Sequence, residues 1–307
     1  RDLHSFPTRR SSDLEIRNCT GLSTIRIPFN AEYVGEYAFD GCTGLTSMNI
    51  QCKEIGKWIK DISSLTSLTI GDSVETIVDD VLKKCTNLTS VEFHSKKIGT
   101  WFKSFTPLTE ITIGDEVEAI DDQAFSGCYK LASVKLGPNN RKMNIGYMIF
   151  SGCNSLNFPV YNDHQFLFMP TNYKGEYAIP SSISSIAGYA FLDCVGLNSI
   201  TLSDSISYVG MGAFQGTGIT APVYNKNIFA YLPPTIKGTY TIPNGITTIA
   251  GGAFASTELT SIKIPNSVTT IGEFAFSGST LPTIEIPNSV TTIGKGAFYW
   301  TGLKTIS

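Results

Sequence analysis

Residues 264–272 read IPNSVTTIG, and residues 286–294 read IPNSVTTIG again. Nine identical residues recurring after 22 positions leave two readings. Either the stretch carries an activity twice, or repetition is itself the architecture. What surrounds the copies decides for the second. Leu259, Ile262 and Ile264 give the alternation of a half-buried strand. Pro265-Asn266 then turns the chain, Val268 and Ile271 return inward, Gly272 permits a tight bend, and Ala275-Phe276 close the far side. Each unit is one lap of a coil whose strand lies beside that of the next lap. A single lap buries too little to offset the entropy of ordering it, so stacking must supply the rest.

The residue that opens each lap recurs at Leu22, Leu45, Leu65, Leu88, Leu108, Leu131, Leu156 and Leu197, then Ile219, Leu259, Leu281 and Leu303. Steps of 41 and 40 residues fit as two laps each, and all others are 20–25. The result is about 13 laps, each within the roughly 20–29 residues of leucine-rich repeats. The expected fold is therefore a mostly β leucine-rich-repeat solenoid of stacked parallel strands with short helical or irregular turns, running as one domain over 15–307. Two rhythms refine it. Laps of 20 residues from Leu45 and Leu88 lack an AFxxC segment, which predicts shortening on that side. PVYN at Pro159 and Pro222 opens two related stretches, identical at 11 of 22 positions, that read as a specialised lap.

These residues resemble the BspA-like, Treponema-type leucine-rich repeat family. The carriers are IPNSVTTIGEFAF, AFSGC from Ala124, GEYAFDGCTGL from Gly35, IGTWF from Ile98 and PVYNKNIFAYLPP from Pro222. The resemblance covers essentially all of 15–307. It implies a solenoid on a cell surface, often one that adheres to host proteins or other cells, and it brings no catalytic residues. Leu82 departs from the family's usual Phe.

Composition narrows the function. A formal charge of −3 is too small to suggest a nucleic-acid partner. No apolar run is long enough to insert into a membrane. Residues 1–14, RDLHSFPTRRSSDL, match the translation of a sequencing-library adapter and are excluded from the fold. The remainder is expected to be a fragment of metagenomic origin, truncated at both ends.

Candidate chemistry is sparse. Cys19, Cys42, Cys85, Cys128, Cys153 and Cys194 each precede a repeat leucine by three residues, as small buried packing residues would. Laps such as FASTEL and FSGSTL look as if they drop the cysteine, and Cys52 lies off this ladder as a candidate free thiol. Metal spacing such as CxxC is absent. His94 reads as a solvated strand edge and His164 as surface variation. Asp79-Asp80 and Asp121-Asp122 read as solvated turns, since a hard cation wants roughly 6–8 oxygens. Phe39, Phe125, Phe150, Phe191, Phe214, Phe254, Phe276 and Phe298 recur at the repeat period and form a core ladder. No catalytic residue, cofactor or metal site is expected.

Stacked strands align their outward side chains in rows. Four positions after the lap-opening residue come Arg26, Asn49, Thr69, Glu92, Thr112, Lys135, Thr201, Lys263 and Glu285. This polar, mixed-sign row is the first candidate partner-binding surface. Tyr224 and Tyr231 of the PVYN lap, with Tyr161 and Phe168, are a second if partly exposed. The expected function is a non-catalytic interaction or adhesion module of an extracellular or cell-surface protein. Its expected partners are host or microbial surface proteins or glycans, and the oligomeric state is left open. A structural spacer is the alternative, and an enzyme a more distant one.

Overall fold

A computed structural model describes residues 16–137 and 143–307. The adapter-like residues 1–14 lie outside the described residues. The chain is a parallel β-solenoid of about 13 turns and divides into two compact units. The first runs to Asn144 and takes in Ile149–Ser155; the second comprises Ile145–Met148 and Leu156–Ser307.

In the first unit, Thr24–Ile27, Ser47–Ile50, Ser67–Ile70, Ser90–Phe93, Glu110–Ile113 and Ser133–Leu136 form one six-stranded parallel sheet in lap order. Alternation works as expected: Met48 and Ile50, Leu68 and Ile70, and Ile111 and Ile113 are fully buried, while the residues between them face outward. Two-residue strands run on the other side of each lap, Glu54–Ile55 beside Thr76–Ile77 and Lys97–Ile98 beside Ala119–Ile120.

The threonine of each LTS stretch has a specific task. The Thr46 carbonyl accepts the Thr66 and Ser67 backbone N–H groups at 2.8 and 3.0 Å, and the Thr66 hydroxyl as well at 3.0 Å. Thr89 and Thr109 repeat the pattern on Thr66 and Thr89. In the second unit the same logic explains IPNSVTTIG. The Ser289 hydroxyl donates to Val268 at 2.7 Å, as Ser267 does to Ile246. Thr291 donates to Thr269, and Thr269 to Thr247. Thr292 and Ile293 pair in register with Thr270 and Ile271. A Cβ on Gly272 would lie 2.6 Å from the Gly251 nitrogen, so the backbones approach too closely for any other residue without displacement. Each copy recurs because it packs against the residues its neighbour has in the same place.

The phenylalanine ladder is present and stacked. Phe254 lies 4.8 Å from Phe229 and 5.0 Å from Phe276, with rings within 8° of parallel. Phe191 bridges Phe166 and Phe214 at 4.7 and 5.1 Å.

Four local features add to or correct the sequence expectations. First, not every strand is parallel. The two PVYN stretches fold as antiparallel hairpins, Val160–Tyr161 with Gln165–Phe168 and Val223–Tyr224 with Ile228–Tyr231. The asparagine makes the reversal. Buried Asn225 accepts the Asn227 and Ile228 N–H groups on Oδ1, and its Nδ2 donates to the Ser203 and Ile206 carbonyls of the preceding lap.

Second, the 20-residue laps do not lose the Ala-Phe side. Trp58-Ile59 and Trp101-Phe102 fill that place on short 3-10 turns, Lys57–Ile59 and Thr100–Phe102. The missing residues come largely from the turn after the long strand, where Ile50 and Ile55 are five positions apart against seven for Ile70 and Ile77. Cys52 and Ser95 brace these tighter turns by donating to the Glu54 and Lys97 carbonyls at 3.4 and 3.1 Å.

Third, Cys19 is exposed although the other ladder cysteines are buried; no lap among the described residues precedes it. Fourth, the laps without cysteine replace it rather than drop it. Buried thiols donate to the lap before, Cys128 to Phe102 at 3.0 Å and Cys153 to Phe125 at 3.2 Å. Thr217, Thr257 and Thr301 stand in the same slot and donate to the phenylalanine of their own lap at 2.9, 2.8 and 3.0 Å. The deleted residue follows the slot.

Ser279 also occupies that slot, but its buried hydroxyl has no partner among the described residues. A stranded buried hydroxyl costs about 1–3 kcal/mol. Threonine, whose stiff χ1 sets its hydroxyl on the carbonyl three residues back, removes that cost. Ser279→Thr is therefore expected to raise stability by about 1 kcal/mol in urea unfolding; an unchanged or lowered midpoint would contradict the slot's requirement.

Candidate interaction face

The six-stranded sheet brings part of the outward row together. Register places Arg26 opposite Asn49, Asn49 opposite Thr69, Thr69 opposite Glu92, Glu92 opposite Thr112, and Thr112 opposite Lys135. Strands in a sheet lie about 4.8 Å apart, so the six side chains form one continuous file. Positive Arg26 and Lys135 lie at its ends and negative Glu92 between them, with neutral residues separating the charges, and local contacts hold several members. Asn49 Oδ1 accepts from Gln51 at 2.8 Å. Lys135 Nζ contacts Glu110 at 2.8 Å. Such exposed pairs contribute little stability, about 0–1 kcal/mol, and their effect is to orient side chains.

Lys263 and Glu285 do not join this file. They belong to the second unit, where Lys263 ends a strand opposite Thr241 and Glu285 lies just past the Thr283–Ile284 strand. The long-strand side there is broken into two-stranded pieces.

The tyrosines separate. Tyr224 is 46% exposed and stacks on Phe229 at 5.9 Å, leaving one face to solvent. Tyr161 repeats this on Phe166 at 5.7 Å. Tyr231 corrects the expectation of exposure, since it is 8% exposed within a strand buried at all four positions. That strand is flanked by Val223–Tyr224 on one side and Thr248–Ile249 on the other, and burial raises the Tyr231 phenol pKa.

His94 is more than a solvated edge. Its Nε2 lies 3.0 Å from Glu92 and its Nδ1 3.1 Å from Glu116, so both ring nitrogens face carboxylates on successive laps. Carboxylates only accept, and satisfying both contacts calls for the imidazolium. Burial lowers the His94 pKa, but hydrogen bonds to Glu116 and Glu92 outweigh it and the net direction is up. The sequence signal, a histidine two residues after an outward glutamate with another glutamate one lap on, was available but carries no distinctive spacing.

Burial drives the ladder thiols away from reactivity, to about 11 for Cys85 and Cys128 and about 12 for Cys153 and Cys194. Asp121 pairs with Lys97 at 2.9 Å and Asp80 with Lys83 at 2.7 Å. Among the described residues no three His, Cys, Asp or Glu side chains are grouped to hold a metal ion. Among them, too, no helix is long and apolar enough to cross a membrane.

The family follows from comparison. The BspA type leucine rich repeat region matches in six copies across residues 15–131, 96–164, 164–231 and 225–307. The chain belongs to this family of leucine-rich repeats. Among solved structures it is similar to a leucine rich cell surface protein from Faecalibacterium prausnitzii A2-165, at 23% identity over 89% of this chain and 83% of that one, with a TM-score of 0.39. A leucine-rich repeat protein from Bacteroides ovatus ATCC 8483 is similar at 19% identity over 92% and 82%, TM-score 0.36. The leucine rich repeat protein of T. pallidum is similar at 17% over 76% of each chain, TM-score 0.28. No curated protein matches the sequence.

The bridge at His94 has a pH signature. A histidine whose folded pKa is raised adds stability that is complete below the unfolded value, near 6.5, and is lost as pH rises through the folded value. The stability difference between the wild type and His94→Gln is expected to be largest near pH 5.5 and to shrink by pH 8.5. A difference that is flat across this range would show that His94 is not held as the imidazolium.

Proposed function

We propose that the chain is a non-catalytic interaction module of a cell-surface protein, adhering to surface proteins of a host or of other microbes. The observation that carries this reading is the unbroken in-register file from Arg26 to Lys135 on six parallel strands. Solenoids use such extended faces for binding, and charges of both signs set at fixed positions on a sheet favour partner selection more than nonspecific attraction. The cell-surface location of the Faecalibacterium prausnitzii relative supports the setting. The solvent-facing Tyr224 ring is a second contact candidate, since tyrosine brings large contact area at low entropic cost.

The experiment is a capture assay of the chain against matrix proteins, mucins and whole bacterial cells, repeated at high salt to remove nonspecific charge attraction. A saturable partner is expected, and the charge reversal Arg26→Glu with Lys135→Glu is expected to weaken its capture at least tenfold, about 1.4 kcal/mol. Both side chains are exposed, so the thermal midpoint should stay within about 2 °C. Capture unchanged by the double variant would remove the file from the reading.

A further inference from the structure

We infer that the cleft between the 28–36 loop and the Glu54–Ile55 strand docks an extended, basic peptide segment of a partner protein. The inference rests on the interaction-module reading above and adds a second contact point with its own chemistry.

The backbone supplies the first reason. The short strands Thr76–Ile77 and Ala119–Ile120 take ladder bonds from the lap before, whereas those of the two shortened laps, Glu54–Ile55 and Lys97–Ile98, do not. Glu75 and Thr76 donate to Lys53 and Val78 to Ile55, while Glu118 and Ala119 donate to Lys96 and Asp121 to Ile98. Glu54–Ile55 pairs with Thr76–Ile77 alone. On its other side the 28–36 loop forms no strand, and among the described residues no ladder bond crosses the gap. The shortened turn of this lap explains the splay, since a lap two residues shorter at Ile50 to Ile55 cannot track the loop beside it. An unpaired strand edge is the element that extended peptides add to.

The cleft has the size and lining for an occupant. It encloses about 810 Å³ and is walled by Phe29, Tyr33 and Trp58, with Glu32, Glu36 and Glu54 around it. Phe29 and Tyr33 are 73% and 57% exposed, large apolar area held open to solvent. Trp58 is the reverse case, only 5% exposed, yet its indole N–H has no protein partner among the described residues. That nitrogen sits beside Gly56, also in the wall, where a Cβ would come 3.4 Å from it. A nearly buried donor beside an open cleft is a ready partner for a ligand carbonyl.

Charge selects the peptide. Three carboxylates border the cleft against Lys53 and Lys57, and Lys53 already lies 3.6 Å from Glu75. The balance favours lysine or arginine on the incoming segment, with the ring faces available for cation–π contact. Just past this loop the same kind of contact is made internally, where the Arg17 guanidinium lies 5.5 Å over the Tyr37 ring.

The test uses the whole chain and a fluorescein-labelled nine-residue probe of alternating threonine and lysine, read by fluorescence anisotropy. Two control probes replace lysine by glutamate or place proline at the centre, which removes a ladder donor. The threonine–lysine probe is expected to bind saturably, and both controls at least tenfold more weakly. Trp58→Phe keeps an aromatic ring and deletes the donor, and Glu32→Gln with Glu54→Gln deletes two charges; each is expected to weaken binding at least fivefold. The exposed glutamate pair should leave the thermal midpoint unchanged and the smaller ring at buried Trp58 should lower it, binding being read well below both midpoints. Lys130→Ala, away from the cleft, should bind as the wild type does. No saturable binding, equal binding of the proline probe, or indifference to the cleft variants would each overturn the inference. The Arg26 and Lys135 variants are read in the capture assay and the cleft variants with this probe. Loss of either result therefore condemns its own surface and not the other.

Discussion

The fold depends on the hydrogen bond that runs from one lap to the next. No lap satisfies its own backbone; the carbonyl of Thr46 or Thr247 is completed by two N–H groups and a hydroxyl belonging to the following lap. Because a buried backbone group left unpaired is costly, every lap must present donors at the height and spacing its neighbour needs. Sequence repetition follows from this constraint. The serine and threonines of IPNSVTTIG are polar because they reach back to the preceding lap's carbonyls, its isoleucines are apolar because they stack in the interior, and its glycine is bare because another backbone lies against it.

The same constraint shows where the chain can vary. A lap can change length only where a local device restores the lost bonds. Asn225 does this for the PVYN hairpin, contributing four hydrogen bonds from one side chain. Cys52 and Ser95 do it in the short laps. Thr257 does it where a residue is deleted after the cysteine slot, turning its hydroxyl onto its own lap. Each device mends the interior but interrupts a sheet. The long-strand sheet of the first unit continues through six laps where the lap edges match, and in the second unit the long strands stand in pairs.

Much of this was legible in sequence. Period, inward positions, the phenylalanine ladder and the outward file all follow from spacing alone, and the Arg26-to-Lys135 register matches the count made from the lap-opening leucines. What escaped was local and depended on partners rather than on pattern. Thr257 could not be told from a loop residue, because its role is defined by the Phe254 carbonyl. Tyr231 looked like a surface tyrosine because it follows a charged turn, and only the neighbouring strand shows that it is enclosed. Trp58-Ile59 escaped as the equivalent of Ala-Phe because the deletion lies upstream, which shifts the pattern without changing the slot. The cleft beside Glu54–Ile55 arises from the mismatch of two laps, and no single lap contains it.

On the proposed interaction reading, irregular laps are where such a molecule would acquire specificity. A solenoid whose laps all matched would present the same surface many times and could recognise only repetitive partners. Distinct contact points arise where matching fails, because a broken ladder exposes donors, rings and carboxylates that regular laps keep covered or spread evenly. The file on the six-stranded sheet offers reach, with charges set at fixed spacing on a rigid surface. The irregular laps offer concavity, as at Trp58, where a nearly buried donor opens beside exposed aromatic rings. Variation confined to lap length and to outward positions can therefore change what is bound while the buried stack, and with it the stability of the whole, stays the same.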